Sequence, residues 1–237
     1  MVVSLKQKYP NQKSIQVIIA ALNEEEGIGP TITELVEKLG NQRILLIDGN
    51  SQDKTVEVAK LSGAEILYQI GNGKGEALFQ GLKHVGFRSK YVVIIDADFT
   101  YPAKFIPFMI NILENNPHIG MVCGNRFNPM LDKGLLRGLF YYGNKLLALV
   151  HNFINGVILI DPLTGLRVIR AEILRDWILY SKGFDVEVEL NIIVHRKGFL
   201  IGEIPIKYRS RIGVKKLKIK DGLFILKRIL REPLISK

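Results

Sequence analysis

The sequence predicts an α/β fold built on a mostly parallel sheet, and three observations carry that expectation. Short apolar runs recur through the first half of the 237-residue chain, at 15–22, 43–47, 64–69 and 91–95. Segments with helical spacing of apolar residues lie between them, joined by short connections, which is the alternation that produces βαβ units. The runs show no inward–outward alternation, as expected of strands covered by helices on both faces.

Taken in order, residues 15–22 (IQVIIAAL) read as a first buried strand running into Asn23-Glu24-Glu25-Glu26, with a helix over 29–39. The acidic run also suits a first helical turn, where carboxylates complement the macrodipole. Residues 43–47 form a second strand ending at Asp48, and a helix spans 55–62. A short strand at 64–69 precedes the turn Gly71-Asn72-Gly73-Lys74-Gly75 and a helix over 76–85. The fourth strand, 91–95, is apolar throughout and ends in Asp96-Ala97-Asp98, with a helix at 103–115 behind it.

In the second half, a strand at 120–124 leads into Asn125-Arg126-Phe127 and a long helix over 135–151. A strand at 157–160 ends in Asp161-Pro162-Leu163-Thr164-Gly165, and 166–169 continues the sheet. Helices at 171–180 and 186–196 and a strand at 202–208 close the domain. Residues 221–230 (DGLFILKRIL) have the basic and apolar composition of an amphipathic surface helix. The expected organisation is one domain over 1–213, followed by a basic amphipathic segment over 214–237 suited to a membrane surface.

Composition bounds the function. With 47% hydrophobic and 24% charged residues the chain is globular. Its net charge of +10 favours phosphate-bearing partners, and the excess falls mainly in the C-terminal part. The single cysteine, Cys123, excludes an intramolecular disulfide and a cysteine-cluster metal site. His84, His118, His151 and His195 show no ligand spacing, and Trp177 reads as core. The N-terminus lacks the apolar core of a signal peptide, and no run of about 18 apolar residues suggests a membrane span. These features predict a cytoplasmic protein, and the basic amphipathic tail suits peripheral association with the cytoplasmic face of a membrane.

Three strand ends carry acid or amide groups: Asn23-Glu24, Asp48, and Asp96 with Asp98. A parallel sheet brings such ends to one edge, where open α/β sheets bind ligands. Carboxylates gathered there repel unless a cation or donor groups compensate them. Asp96 and Asp98 offer hard oxygen ligands suited to Mg²⁺ or Mn²⁺, although a D-x-D in a surface turn is also ordinary. A nucleotide with its metal fits the edge, with Asp48 on base or ribose, and the Gly73-Lys74-Gly75 turn can face phosphate. The P-loop spacing is absent, and so is G-x-G-x-x-G after the first strand. A nucleic-acid module is disfavoured by the acidic strand ends and the lack of a recognition motif. A nucleotidyltransferase would need a glycine-rich signature with arginine after the first strand.

The order of these motifs resembles the GT-A fold, family-two inverting glycosyltransferases, and specifically the branch making polyprenyl-phosphate (dolichyl-phosphate) hexoses, over 15–230. Ala20-Ala21-Leu22-Asn23-Glu24 is similar to the family's P-x-x-N-E, with Ala20 for proline. Residues 48–55 resemble D-D-G-S-x-D-x-T, with Gly49 for the second aspartate. Gly73-Lys74-Gly75-Glu76-Ala77 matches G-K-G-x-A, and Asp96-Ala97-Asp98 matches the metal-binding D-x-D, with Thr100 where glutamine is common. Gly124-Asn125-Arg126 resembles G-[SN]-R, and residues 161–167 resemble D-x-x-S-G-F-R, with Thr164 and Leu166 as departures. Phe184 to Glu189 is similar to F-x-x-E-x-E, whose glutamates also suit a plain helix start. Residues 208–217 resemble Y-x-x-R-x-G-x-S-K-L, with Lys215 for serine.

The resemblance implies hexose transfer from a UDP- or GDP-linked sugar to a polyprenyl or dolichyl phosphate, dependent on Mg²⁺ or Mn²⁺. It places Ala20, Asn23, Glu24, Asp48, Lys74, Asp96, Ala97, Arg211 and Lys216 around the donor, with Asp96 and Asp98 on the metal. Asp98, Arg126, Arg137 and Asp161 fall at the reacting end. There Arg126 and Arg137 hold the acceptor phosphate, and Asp161 acts as a base in relatives with hydroxyl acceptors or orients arginine or sugar here.

Overall fold

The computed structural model describes residues 15–86, 88–127, 138–178, 180–214 and 219–235. Arg137 and Lys216 lie outside the described residues. Strands β1 (Ile15–Ala21), β2 (Arg43–Asp48), β3 (Glu65–Tyr68) and β4 (Tyr91–Ile94) run parallel, with β1 at the centre of this half. Three more strands, β5 (Ile119–Asn125), β6 (Arg167–Arg170) and β7 (Leu200–Pro205), complete one seven-stranded sheet in the order β3-β2-β1-β4-β6-β5-β7. Strand β6 is antiparallel to both neighbours, and β5 and β7 therefore point the same way as β1.

The expected mostly parallel sheet between helices is what the chain forms. Helices α1 (Glu25–Leu39), α2 (Thr55–Leu61), α3 (Lys74–Lys83) and α4 (Ile106–Asn115) follow β1 to β4 in turn, the last after a short 3-10 turn at Ala103–Phe105. Successive residues of β4 feed opposite cores: Tyr91 and Val93 enter the cluster that α1 and α4 cover, while Val92 and Ile94 enter the one that α3 covers. A strand buried on both faces cannot alternate in polarity, which is why the runs read as continuously apolar. Each fully buried isoleucine, such as Ile18 or Ile19, contributes about 2 kcal/mol by transfer from water.

Several boundaries differ from the sequence reading, each for a local reason. Helix α1 starts at Glu25 rather than at 29, because the Glu24 carbonyl already accepts the Gly27 and Ile28 N–H groups at 3.1 and 3.0 Å. Helix α5 (Leu139–Asn155) runs past 151 and stops where Gly156, at φ 65°, adopts the left-handed conformation that ends helices. The strand expected at 157–160 is irregular. Its backbone bonds to side chains instead: Leu159 to Asn152, and the Ile160 and Asp161 N–H groups to Glu203 at 2.7 and 2.8 Å.

The helix expected over 171–180 is the short α6 (Ala171–Leu174), because the Trp177 indole and the N–H groups of Tyr180 and Ser181 turn to the Glu189 carboxylate. That glutamate sits in α7 (Val186–Arg196). Strand β7 ends at Pro205 rather than 208, level with Asn125 where its partner β5 ends, and the Ile206 N–H makes the last bond, to the Asn125 carbonyl at 3.0 Å.

The C-terminal helix α8 (Ile219–Ile235) does not stand apart from the domain. Ile225 and Ile229 bury against Val188 and Ile192 of α7, with Leu147, Val150 and Ile154 of α5 alongside. Arg228, also buried, pairs with Glu189 at 3.2 Å. The opposite side of α8 leaves Lys220, Leu223, Phe224, Lys227 and Leu230 exposed.

Candidate active site

Because β1, β2, β4, β5 and β7 point one way, their C-terminal ends open on one edge of the sheet. Asn23 and Glu24 follow β1, Asp48 ends β2, Asp96 and Asp98 follow β4, Arg126 follows β5, and Arg211 lies on the segment leaving β7. Ala20 sits in β1 beside Ile47 of β2, and Ala97 is buried between the two aspartates.

The first two strand ends lock onto each other. The Asn23 N–H donates to Ser51 Oγ at 2.9 Å, and the Asn23 side-chain oxygen accepts the Gln52 N–H at 2.7 Å. The Glu24 N–H donates to Thr55 Oγ1 at 2.7 Å. Asp48 is 1% exposed and accepts from the Ser51 hydroxyl and N–H at 2.6 and 3.1 Å. Ser51 thus occupies one acceptor position on each oxygen of Asp48, the residue expected at base or ribose.

A charged cluster occupies the middle of the edge. Lys74 Nζ bridges Asp96 Oδ1 at 2.6 Å and Glu187 Oε1 at 2.7 Å. Arg211 pairs with Glu24 through one nitrogen and with Asp98 Oδ2 at 2.5 Å through another. Burial alone would lower the Lys74 ammonium, but Asp96 and Glu187 outweigh it and hold its pKa above the ordinary value. Burial, with the neighbouring Asp96 charge, raises the Asp98 carboxyl against the opposing pull of Thr100 and Arg211. Burial likewise raises Glu187, and Lys74 only partly offsets it. Among the described residues, Lys74 and Arg211 thus draw four carboxylates, Glu24, Asp96, Asp98 and Glu187, into one cluster.

Among the described residues no group of three metal-ligating side chains forms a closed cage. The residues that suit Mg²⁺ or Mn²⁺ are Asp96 and Asp98, hard oxygen donors that leave coordination positions for phosphate oxygens.

The turn before α3 packs tightly against the backbone at Lys182. Gly73, at φ 97°, passes so close to the Lys182 carbonyl that a Cβ there would lie 2.2 Å from its oxygen. The Gly75 and Glu76 N–H groups donate to that same oxygen at 3.0 and 3.4 Å. The Gly75 and Glu76 N–H groups of the turn expected to face phosphate are thus held by a protein carbonyl.

Arg126 and Asp161 form a buried bidentate pair, Nε to Oδ2 and Nη2 to Oδ1, both at 2.7 Å. The Arg126 N–H also donates to Asp161 Oδ2 at 3.0 Å. Burial opposes the guanidinium charge, but Asp161 outweighs it and raises Arg126 well above its ordinary value. Glu203 holds the Asp161 backbone from beneath, its own pKa raised by burial. Asp161 is committed to an arginine in this arrangement and is not poised as a free base.

Tyr101 ties the two sets together. It accepts the Gly165 N–H at 2.7 Å, and a Cβ at Gly165 would fall 2.3 Å from Asp96 Oδ2. Gly165→Ala is expected to push Asp96 off Lys74 and cost about 10²-fold in kcat/KM, read in an assay where the melting temperature confirms folding. Tyr101 and Glu203 were not singled out in the sequence. Tyr101 lies three residues past the D-x-D, but nothing in spacing reveals which way a buried tyrosine hydroxyl turns. Trp177 is core, edge-on to Phe79 at 5.8 Å.

A parallel sheet whose carboxyl edge gathers acids, a buried lysine and arginines defines the GT-A class of glycosyltransferase fold. The chain belongs to glycosyl transferase family 2, whose sequence model matches residues 16–177, and it is a glycosyltransferase. It is 30% identical over 205 residues to a dolichyl-phosphate hexose transferase of Haloferax volcanii, covering 86% of each chain. It is 31% identical over 204 residues to glycosyltransferase AglJ of the same organism, covering 85% of this chain but only 65% of that relative. Among solved structures it resembles glucosyl-3-phosphoglycerate synthase from Mycobacterium tuberculosis bound to UDP, with TM-score 0.72 and 24% identity, over 95% of this chain and 82% of that one. The same enzyme with Mn²⁺, UDP-glucose and phosphoglyceric acid matches with TM-score 0.70 at 24% identity, over 94% and 79%. These two likenesses establish the shared fold.

Proposed function

We propose that the protein transfers a hexose from a UDP- or GDP-linked sugar to a polyprenyl or dolichyl phosphate at the surface of a membrane. The observation that carries this reading is the gathering of Asp96 and Asp98 with Lys74 and Arg211 at the strand-end edge. The relative named as a dolichyl-phosphate hexose transferase, matched along most of both chains, supports the acceptor.

Asp96 and Asp98 would hold Mg²⁺ or Mn²⁺, which neutralises the leaving diphosphate as a Lewis acid. Arg211 would exchange its carboxylate partners for donor phosphate, with Lys216 as a second clamp. Lys74 keeps Asp96 and Glu187 in place, and Asn23, Glu24 and Asp48 shape the nucleotide side. A phosphate acceptor is already an anion and needs no strong general base, which agrees with an Asp161 committed to Arg126. It needs orientation against repulsion from the donor phosphates, the role of Arg126 and Arg137.

The membrane face would be the outer side of α5 and α8. Tyr142, Leu146, Leu149 and Phe153 repeat at helical spacing and are exposed, Phe153 at 90%, and Ile158 beyond them at 92%. Lys145 on α5 and Lys220, Lys227 and Arg231 on α8 give these helices the basic and apolar mix of an interfacial surface on anionic lipid. Among the described residues no helix is long and apolar enough to cross a membrane. Phe153→Asp combined with Ile158→Asp is expected to weaken binding to phosphatidylglycerol-containing vesicles by more than tenfold, read by flotation. Unchanged flotation would remove this face from the proposal.

The reaction is tested by incubating the protein with Mn²⁺ or Mg²⁺, a short polyprenyl phosphate and each radiolabelled nucleotide sugar. Organic-extractable label from one donor, lost with EDTA, is the expected result. Water-soluble label with every donor would overturn the lipid acceptor and point to a soluble one.

A further inference from the structure

Among the described residues, the non-glycine residues with positive φ are Asn23 at 51°, Asn50 at 65° and Phe99 at 61°. All three follow strands of the same edge. Asparagine tolerates this conformation, whereas a phenylalanine adopts it only when its surroundings enforce it.

The enforcement is visible. The Phe99 N–H donates to Thr31 Oγ1 at 3.1 Å, and its carbonyl accepts from Arg209 at 3.4 Å. The Arg209 guanidinium lies 4.1 Å from the centre of the Phe99 ring. Glu34 of α1 grips that guanidinium at both ends, at 2.7 and 2.9 Å. Burial would raise the Glu34 carboxyl, but Arg209 outweighs it and holds it below its ordinary value. Two main-chain bonds run beside this clamp, Arg209 N–H to the Thr100 carbonyl at 2.9 Å and Ile212 N–H to the Asp98 carbonyl at 3.4 Å. Between their donors stands Arg211, with its guanidinium on Asp98 and Glu24.

We propose that Glu34, Arg209 and Phe99 form a positioning clamp that fastens the Arg211 segment to the Asp98 turn and so presets the donor-diphosphate site. None of the three needs to touch donor or acceptor. The inference rests on the reading of this edge as the nucleotide-sugar site. An isolated surface ion pair would contribute little. This one is stacked on a ring, bidentate, and attached to a strained turn that carries an expected metal ligand. Groups that orient such ligands typically change metal affinity or activity by about 10- to 100-fold when altered.

The test uses Glu34→Gln, Arg209→Lys, Phe99→Gly and Phe99→Ala, with Mn²⁺ plus UDP or GDP titrated calorimetrically and KM measured for donor and acceptor separately. Lysine keeps the charge but loses the fork and the stack. Glycine accepts the φ of 61° without the ring, whereas alanine loses the ring and keeps the strain. Expected is donor affinity weakened about tenfold or more in all four, with acceptor KM within about twofold. The melting temperature of Phe99→Ala should fall about 2–4 °C below that of Phe99→Gly. Wild-type protein that binds neither nucleotide with Mn²⁺ would sink the site reading itself. Wild-type binding with equal binding by Arg209→Lys and Glu34→Gln would overturn the clamp alone. Donor and acceptor KM rising in parallel with a falling melting temperature would also overturn it, since that is a general loss of structure.

Discussion

Asp98→Asn is expected to abolish turnover, by about 10³-fold or more, while leaving the melting temperature unchanged or higher. Asp98 is buried against Asp96, and burial together with that neighbouring charge raises its pKa. The sign follows from linkage: an acid with a raised folded pKa binds more protons in the folded state, so its ionisation costs stability as pH rises above its ordinary value of 3.8. At neutral pH the amide removes that cost, and Arg211 keeps Glu24 as a partner. Mn²⁺ with a nucleoside diphosphate should raise the wild-type melting temperature by several degrees, by mass action on the folded state, and leave the Asn variant unmoved. Retained activity in the Asn variant, or equal shifts in both proteins, would remove Asp98 from the metal site.

Arg126→Ala should instead lower stability and raise the KM for the acceptor. Its partner Asp161 is buried and accepts two guanidinium bonds at 2.7 Å. Removing one member of such a pair strands a buried charge and costs about 3–5 kcal/mol, roughly 10 °C in melting temperature for a chain of this length. The double variant Arg126→Met with Asp161→Leu should recover most of that loss, because two apolar groups leave no buried charge unpaired. If Arg126 serves the acceptor phosphate, its loss raises acceptor KM more than donor KM, assayed well below both melting temperatures. Equal rises would make Arg126 a structural residue only.

The α/β alternation was legible because β1, β2 and β4 are buried on both faces and therefore read as apolar runs. The D-x-D and the other strand-end acids were legible because a parallel sheet has to bring them to one edge. The bonds that commit them were not. Nothing in the spacing of Lys74 indicates that it bridges Asp96 and Glu187, since Glu187 comes from a helix more than 100 residues away. The strand expected at 157–160 but not formed follows the same logic, because its apolar run reads as ladder-forming while Asn152 and Glu203 supply its partners. The end of α6 depended on Glu189 drawing three donors out of a helical path. The Phe99 clamp needed a backbone dihedral that no residue type announces.

The antiparallel strand has a consequence for how the chain assembles. β1 to β4 pair among themselves and are complete by Ile94, so the first half of the sheet can form as the chain emerges. β5 has no such partner nearby: its sheet neighbours are β6 and β7, made from residues 167–170 and 200–205. Until β6 slots between β4 and β5, a strand ending in Asn125, one residue before Arg126, waits with both edges bare. This long-range closure is the step that loop entropy slows most. A fragment stopped before β6 would leave an unpaired strand open to aggregation, so the strand-end edge and the sheet become whole in the same late event.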